Sequence, residues 1–236
     1  MIGYVRGVEM KRMLIIPLSA ALILSLCSCQ SQKYLEMNTE NVDYSVSLPY
    51  TENFEDNDFQ YVVNTAPDMK WAIKSSAGNR YLECVAYDEA LTITGNNIHP
   101  ILIGDSSWSD YEMSFDVKLD GDCYVMFAPF ADSINLETSS DNGSRDSWSL
   151  YLNSDGELYY QTFLENGYII CDLSESPNCY DKNGWNHITL YHNDTDILMT
   201  INGVDIGKVA DYSNEYYGRI SLGGTVGVTL DNIKIE

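Results

Sequence analysis

The sequence has little positive charge. Lys and Arg number 13 against 35 Asp and Glu, for a net charge of −22. A surface of that sign repels nucleic acid and anionic lipid head groups, and it disfavours acidic polysaccharides unless a cation intervenes. Histidine is scarce. His99, His187 and His192 form no constellation with Ser or Cys along the chain. There is no C-x-x-C pair and no cysteine with a nearby histidine, which speaks against a zinc site. No stretch carries an amphipathic helical period of useful length. The apolar run over residues 14–26 is shorter than the about 20 residues of a permanent membrane helix, and Pro17 within it disfavours one further.

That short run reads instead as an export signal. Met10-Lys11-Arg12-Met13 supplies a basic start, and the run ends at Leu26-Cys27-Ser28-Cys29. A basic segment, an apolar segment of this length and a small residue before a cleavage point describe a signal peptide. The tetrapeptide resembles a lipobox, the pattern read by lipoprotein signal peptidase, with Leu26 three residues before Cys29 and Ser28 just before it. The resemblance implies that Cys29 takes a diacylglyceryl group and becomes the N-terminus, anchored on the outer side of the cell membrane. Cys27 is the poorer candidate because bulky Leu26 precedes it. An ordinary signal peptide with two incidental cysteines is the alternative. The expected organisation is a signal peptide over residues 1–28, a polar tether over 29–50 and one domain over 51–236.

What the domain has in quantity is alternation. In residues 110–120, Tyr111, Met113, Phe115, Val117 and Leu119 share one face, and Glu112, Ser114, Asp116 and Lys118 the other. Period two means a strand with one buried side. A tight turn at Asp120-Gly121 leads to the run 123–127, and further runs cover 148–152, 158–164, 168–173, 185–191 and 197–201. Asn202-Gly203 is a hairpin signal before 204–209. Upstream, 71–73, 81–86, 91–94 and 101–103 read as strands. In the last run, Val226, Val228 and Leu230 share one parity and Ile233 and Ile235 the other. Such a flip requires an extra residue, a bulge, near Asp231-Asn232. A dozen or more strands without a helix predict an all-β fold. Two packed antiparallel sheets bury the alternating faces, and an up-and-down barrel is the competitor.

Four cysteines fall in the domain. Cys171 and Cys179 flank a short loop, and Cys84 and Cys123 sit in strand-like runs that could face one another. Export permits disulfides. Four cysteines allow three pairings, and buried free thiols are the alternative.

An ordered series of short motifs spans residues 52–236. It comprises Glu52-Asn53-Phe54-Glu55-Asp56, Trp71-Ala72-Ile73, Gly78-Asn79-Arg80-Tyr81-Leu82, Trp108-Ser109-Asp110-Tyr111-Glu112-Met113, Trp185-Asn186-His187-Ile188, Ile201-Asn202-Gly203, Gly218-Arg219-Ile220-Ser221-Leu222 and Leu230-Asp231-Asn232-Ile233-Lys234-Ile235. The series resembles the concanavalin A-like lectin/glucanase superfamily, closest to laminin G-like and 3-keto-disaccharide hydrolase-type domains. The resemblance implies a jelly roll with a concave face that often meets sugars. It implies a structural calcium ion where the first and last strands meet, with Asp231, Gly78, Glu55 and Asp56 as the candidate ligand region. Oxygen ligands in an acidic setting suit a hard cation. A capped bulge at Asp231 is the plainer reading of that residue, and Trp185 reads most simply as a core aromatic between sheets.

The Glu-x-Asp-x-Glu strand motif of the related glucanases is missing. Glu112 and Asp116 lie about 13 Å apart along one strand face by strand rise, too far for the pair a glycosidase needs. The arginine expected of the keto-hydrolase type is missing from residues 121–128. No catalytic residue is assigned. Tyrosine is abundant, at 18. Tyr124, Tyr151 and Tyr160 fall in the middle strands and offer flat faces and hydroxyls to a sugar. Their plainer role is β-propensity. The sequence thus predicts a surface lipoprotein that binds a glycan or another extracellular ligand, against a divergent glycan-active enzyme or a purely adhesive module.

Overall fold

The alternation from Met113 to Leu119 becomes a strand whose odd-numbered side chains are buried without exception. The structure is a computed structural model that describes residues 33–36, 44–64, 69–87, 100–134, 148–162, 168–173 and 179–236. Cys29, His99 and the strand read over 91–94 lie outside the described residues. The strands are β1 (Lys33–Tyr34), β2 (Tyr50–Glu52), β3 (Val62–Asn64), β4 (Met69–Ser76), β5 (Asn79–Tyr87), β6 (Ile101–Ile103), β7 (Met113–Leu119) and β8 (Tyr124–Ala128). After a one-turn helix α1 (Ala131–Ile134) come β9 (Trp148–Asn153), β10 (Glu157–Thr162), β11 (Tyr168–Asp172), β12 (Asn186–His192), β13 (Asp196–Ile201), β14 (Val204–Asp211), β15 (Ile220–Gly224) and β16 (Val228–Ile235).

The strands form two antiparallel sheets, a jelly-roll sandwich of the concanavalin A-like kind. One sheet has nine strands in the order β1-β4-β5-β16-β7-β12-β13-β14, with β2 also on β16. The other has seven, in the order β11-β10-β9-β8-β15-β6-β3. Phe115 of β7 and Phe127 of β8 meet edge to face across the gap, ring centroids 5.4 Å apart and both fully buried. Emptying such a position to Ala costs about 3–5 kcal/mol. The Asp120-Gly121 turn therefore does not close a hairpin. It carries the chain from one sheet to the other, because β7 pairs with β12 and β16 while β8 pairs with β9 and β15.

Local chemistry sets the remaining registers. Asn202 and Gly203 both take positive φ (51° and 76°), and the hairpin they close pairs Ile201 with Val204. In β16 the register shifts between Asp231 and Lys234, and Asn232 sits at φ 49°. That bulge is what lets Val228, Leu230, Ile233 and Ile235 all face the core. Val226, read as the start of this strand, precedes it and is exposed. At the outer edge, β14 shifts register twice against β13, and Lys208 pairs with both Asp196 (2.7 Å) and Asp211 (2.6 Å).

The expected tether is held to the domain in its described parts. Lys33–Tyr34 pairs with β4. Val46 donates its N–H to Asp105 and accepts from Trp108 Nε1 at 2.6 Å. Nearby, the Tyr111 hydroxyl donates to the Gly218 carbonyl (3.0 Å) and accepts from the Phe130 N–H (2.6 Å) in a fully buried setting. Beside it, Arg219 and Asp132 form a partly buried ion pair. Tyr111→Phe leaves a buried N–H and a buried carbonyl without partners. The expected loss is about 1–3 kcal/mol, read as a lower urea midpoint with an unchanged slope.

Candidate functional site

On β9, Leu150 and Leu152 face the core, so Ser149, Tyr151 and Asn153 face outward. Register carries that outward face across the sheet: Tyr151 stands opposite Met126 of β8, and Met126 opposite Gly223 of β15. Tyr124, two residues before Met126, joins it, with its ring centroid 5.7 Å from that of Tyr151. Ala128 and Ser221 form the next paired row. On this face Met126, Ala128 and Ser221 are buried, and Tyr124 and Tyr151 are half-buried. Ser221 Oγ is fully buried and has no hydrogen-bond partner among the described residues. Burial pushes the Tyr151 hydroxyl above its ordinary range, opposed by a hydrogen bond with Ser149.

Tyr160 does not belong here. It pairs with Leu150, which puts it on the opposite face, and its ring stacks on Trp148 at 5.7 Å. The residue that shares the face of Tyr151 is Tyr159. Its hydroxyl contacts Glu157. The β9–β10 register separates the two neighbouring tyrosines, and a count of strand residues alone does not supply it.

The candidate cation region gathers on the other sheet. Asp231 is the register partner of Asp116 and is 3% exposed. Its two oxygens accept from Asn79 Nδ2 and from the Asn232 N–H, both at 2.8 Å. Burial pushes its carboxyl above the ordinary range, and the charges of Asp116 and Glu55 add to the shift, while the two hydrogen bonds oppose it. Glu55 accepts from the Arg80 N–H (2.9 Å), and its carbonyl accepts from the Arg80 guanidinium. Gly78 forms the β4–β5 turn at φ 88° beside Asn79. Asp56 is turned away, with its oxygens taken by Gln60 and by the Asp58 N–H. Among the described residues no three His, Cys, Asp or Glu side chains gather closely enough to hold a metal by themselves. Asp231 is a buried carboxylate with no ion-pair partner among the described residues.

None of the four domain cysteines is in a disulfide. Cys84 lies on β5 opposite Trp71 in the nine-stranded sheet and Cys123 precedes β8 of the other sheet; both are buried free thiols. Cys179 is near enough to help raise the Cys171 thiol, but both remain thiols. Burial raises all three of Cys123, Cys171 and Cys179, with Cys123 pushed up to about 11, which makes them poor nucleophiles.

Trp185 is also not where it was expected. It is 40% exposed, because its neighbour Asn186 takes the inward position and hydrogen-bonds to Asp181 and Asn202.

The shifted carboxyl of Asp231 has a consequence for stability. Its folded value lies above its unfolded one, so its contribution is fully present below about pH 3.8 and is lost as pH rises through the folded value. Without added metal, Asp231→Asn is expected to melt higher than the parent chain at pH 7, and the gap is expected to close at pH 4. Thermal melts in EDTA at the two pH values check this.

No family model matches the chain, and no curated protein does. Among solved structures it is similar to a sialidase, with TM-score 0.51 and 11% identity. That match covers 80% of this chain and 18% of the sialidase, so the chain spans less than a fifth of that protein's length. It is also similar to domain 4 of AbnA, a GH43 extracellular arabinanase from Geobacillus stearothermophilus in complex with arabinotriose, with TM-score 0.46 and 12% identity over 78% of this chain and 89% of that one. An endo-β-galactosidase from Clostridium perfringens gives TM-score 0.48 and 10% identity over 85% and 64%. At these identities the likeness speaks to the sandwich fold alone.

Proposed function

We propose that this chain is an exported, lipid-anchored surface protein whose sandwich binds glycans without cleaving them, through the outward face of the seven-stranded sheet. The observation that carries the reading is the meeting of Tyr124 and Tyr151, ring centroids 5.7 Å apart, on that face. Flat rings with polar edges accept the C–H face of a sugar and hydrogen-bond its rim. The net charge of −22 favours neutral glycans over acidic ones.

Binding is preferred to cleavage because of Asp231. It supplies Asp116 with the nearby carboxylate that no single strand contains, yet it is buried and both its oxygens are occupied. An acid that cannot reach a substrate cannot protonate a leaving group. The same residue supports a calcium ion at the β4–β5 turn, held by the Asp231 carboxylate with oxygens of Glu55 and the Gly78 region. The ion would neutralise the charge of Asp231 and tie β16 to that turn. The lipobox-like tetrapeptide ending at Cys29 supports the anchor.

On an array of neutral and acidic glycans, the parent protein is expected to bind neutral structures. Tyr151→Ala should weaken that binding about tenfold, roughly 1.4 kcal/mol, with an unchanged circular dichroism spectrum. Equal binding by the variant would overturn the proposed face. Added calcium is expected to raise the melting temperature of the parent chain but not that of Asp231→Asn; equal response of both removes the ion from this site. Cys29→Ser is expected to move the protein from the membrane fraction to the soluble one, and mass spectrometry showing an intact leader would defeat the anchor.

A further inference from the structure

On the outward face of the nine-stranded sheet lies a second constellation, independent of the tyrosine face. Asp116 of β7 pairs with His187 of β12 on one side and with Asp231 of β16 on the other. Leu82 of β5 pairs with Leu230, which places Tyr81 at the end of the same row. Trp185 faces outward two residues before His187. Its ring centroid is 6.2 Å from that of Tyr81, in an edge-to-face arrangement. Three strand spacings, about 14 Å, separate β12 from β5. The two rings can therefore meet only by lying along the sheet, above β7 and β16. This roof accounts for the burial of Thr229 and Asp231 beneath it.

The polar groups beside the roof are oriented by one carboxylate. Asp116 accepts from His187 Nδ1 at 2.6 Å and from Asn232 Nδ2 at 2.7 Å. A carboxylate only accepts, so His187 Nδ1 carries a proton; Nε2 accepts when the ring is neutral and donates when it is protonated. Asn232 then presents its Oδ1. Neither His187 Nε2 nor Asn232 Oδ1 has a partner among the described residues, and both residues are exposed. An amide oxygen and an oriented imidazole nitrogen beside a flat, exposed ring match a ligand with an apolar C–H face and hydroxyls, which both donate and accept, on its edge.

We propose that Trp185, Tyr81, His187 and Asn232 form a second glycan-binding site, selective for neutral sugars, on the sheet opposite the tyrosine face, with Asp116 as its positioning residue. A surface with two faces each holding a sugar would engage a polymer or two neighbouring chains at once, and avidity would follow from that geometry.

The protein carries its own reporter. Of its 4 tryptophans, Trp71, Trp108 and Trp148 are buried, leaving Trp185 as the exposed one. The full-length protein is titrated with lactose, cellobiose and arabinotriose, and with sialyllactose and tetramethylammonium chloride as charged controls, while tryptophan emission is followed. Saturable quenching or a blue shift with at least one neutral sugar is expected, retained in Tyr151→Ala. Calorimetry with that sugar is expected to show one set of sites lost in Trp185→Ala and retained in part in Trp185→Phe. Asn232→Gly, which keeps the positive φ without strain, is expected to weaken binding at least about fivefold with the melting temperature unchanged. Emission unmoved by all three neutral sugars at 50 mM, or moved by tetramethylammonium alone, would overturn the site. Loss of the response in Tyr151→Ala with its retention in Asn232→Gly would overturn it too. If Trp185→Ala fails to fold, Trp185→Phe and Asn232→Gly decide.

Discussion

The contact between Phe115 and Phe127 stands for the constraint on which everything else depends. Each ring belongs to a different sheet, each is fully buried, and they touch edge to face at 5.4 Å. For that contact to exist, every strand crossing the gap must place alternate side chains inward. The outward positions are thereby released for other chemistry. Tyr151 and Ser221 on one sheet, and Asp116 and His187 on the other, are the outward partners of core residues one position away. The outward faces of this fold are the obligatory reverse sides of its core strands.

Polar burial marks where that rule is strained. Asp231 lies among carboxylates that disfavour its charge, and its two oxygens are held by neighbouring amides. Glu52 is buried likewise, caught by the N–H groups of Phe54 and Gln60. Both residues lie near the pairing of β2 with β16. Backbone pairing alone holds few residues at that junction. Fixed carboxylates with several acceptor positions stitch the irregular segment 52–60 to it.

Much of this was legible in the sequence where a local signal controls geometry. The alternation in β7, the Asn202-Gly203 hairpin and the parity flip answered by the bulge at Asn232 each depend on a few adjacent residues. What depends on pairing between distant strands was not legible. Tyr160 and Tyr151 lie on comparable strands, but the register of β9 on β10 sets them on opposite faces. The Asp120-Gly121 turn looks like a hairpin until the partners of β7 and β8 are known. Trp185 has the composition of a core residue, and its outward position follows from Asn186 satisfying Asp181 and Asn202 inside. The Asp116–Asp231 pair joins residues more than a hundred positions apart, which no spacing rule detects.

The outer edge of the nine-stranded sheet bears on how such a protein tolerates crowding. An open strand edge is a template for adding another chain. Here β14 is kinked by two register shifts, and Lys208 is engaged by two aspartates of its own chain. A neighbouring copy meets an irregular rim carrying charge rather than a straight ladder of unpaired amides. Copies of the molecule can then crowd together without fusing into continuous β-sheet.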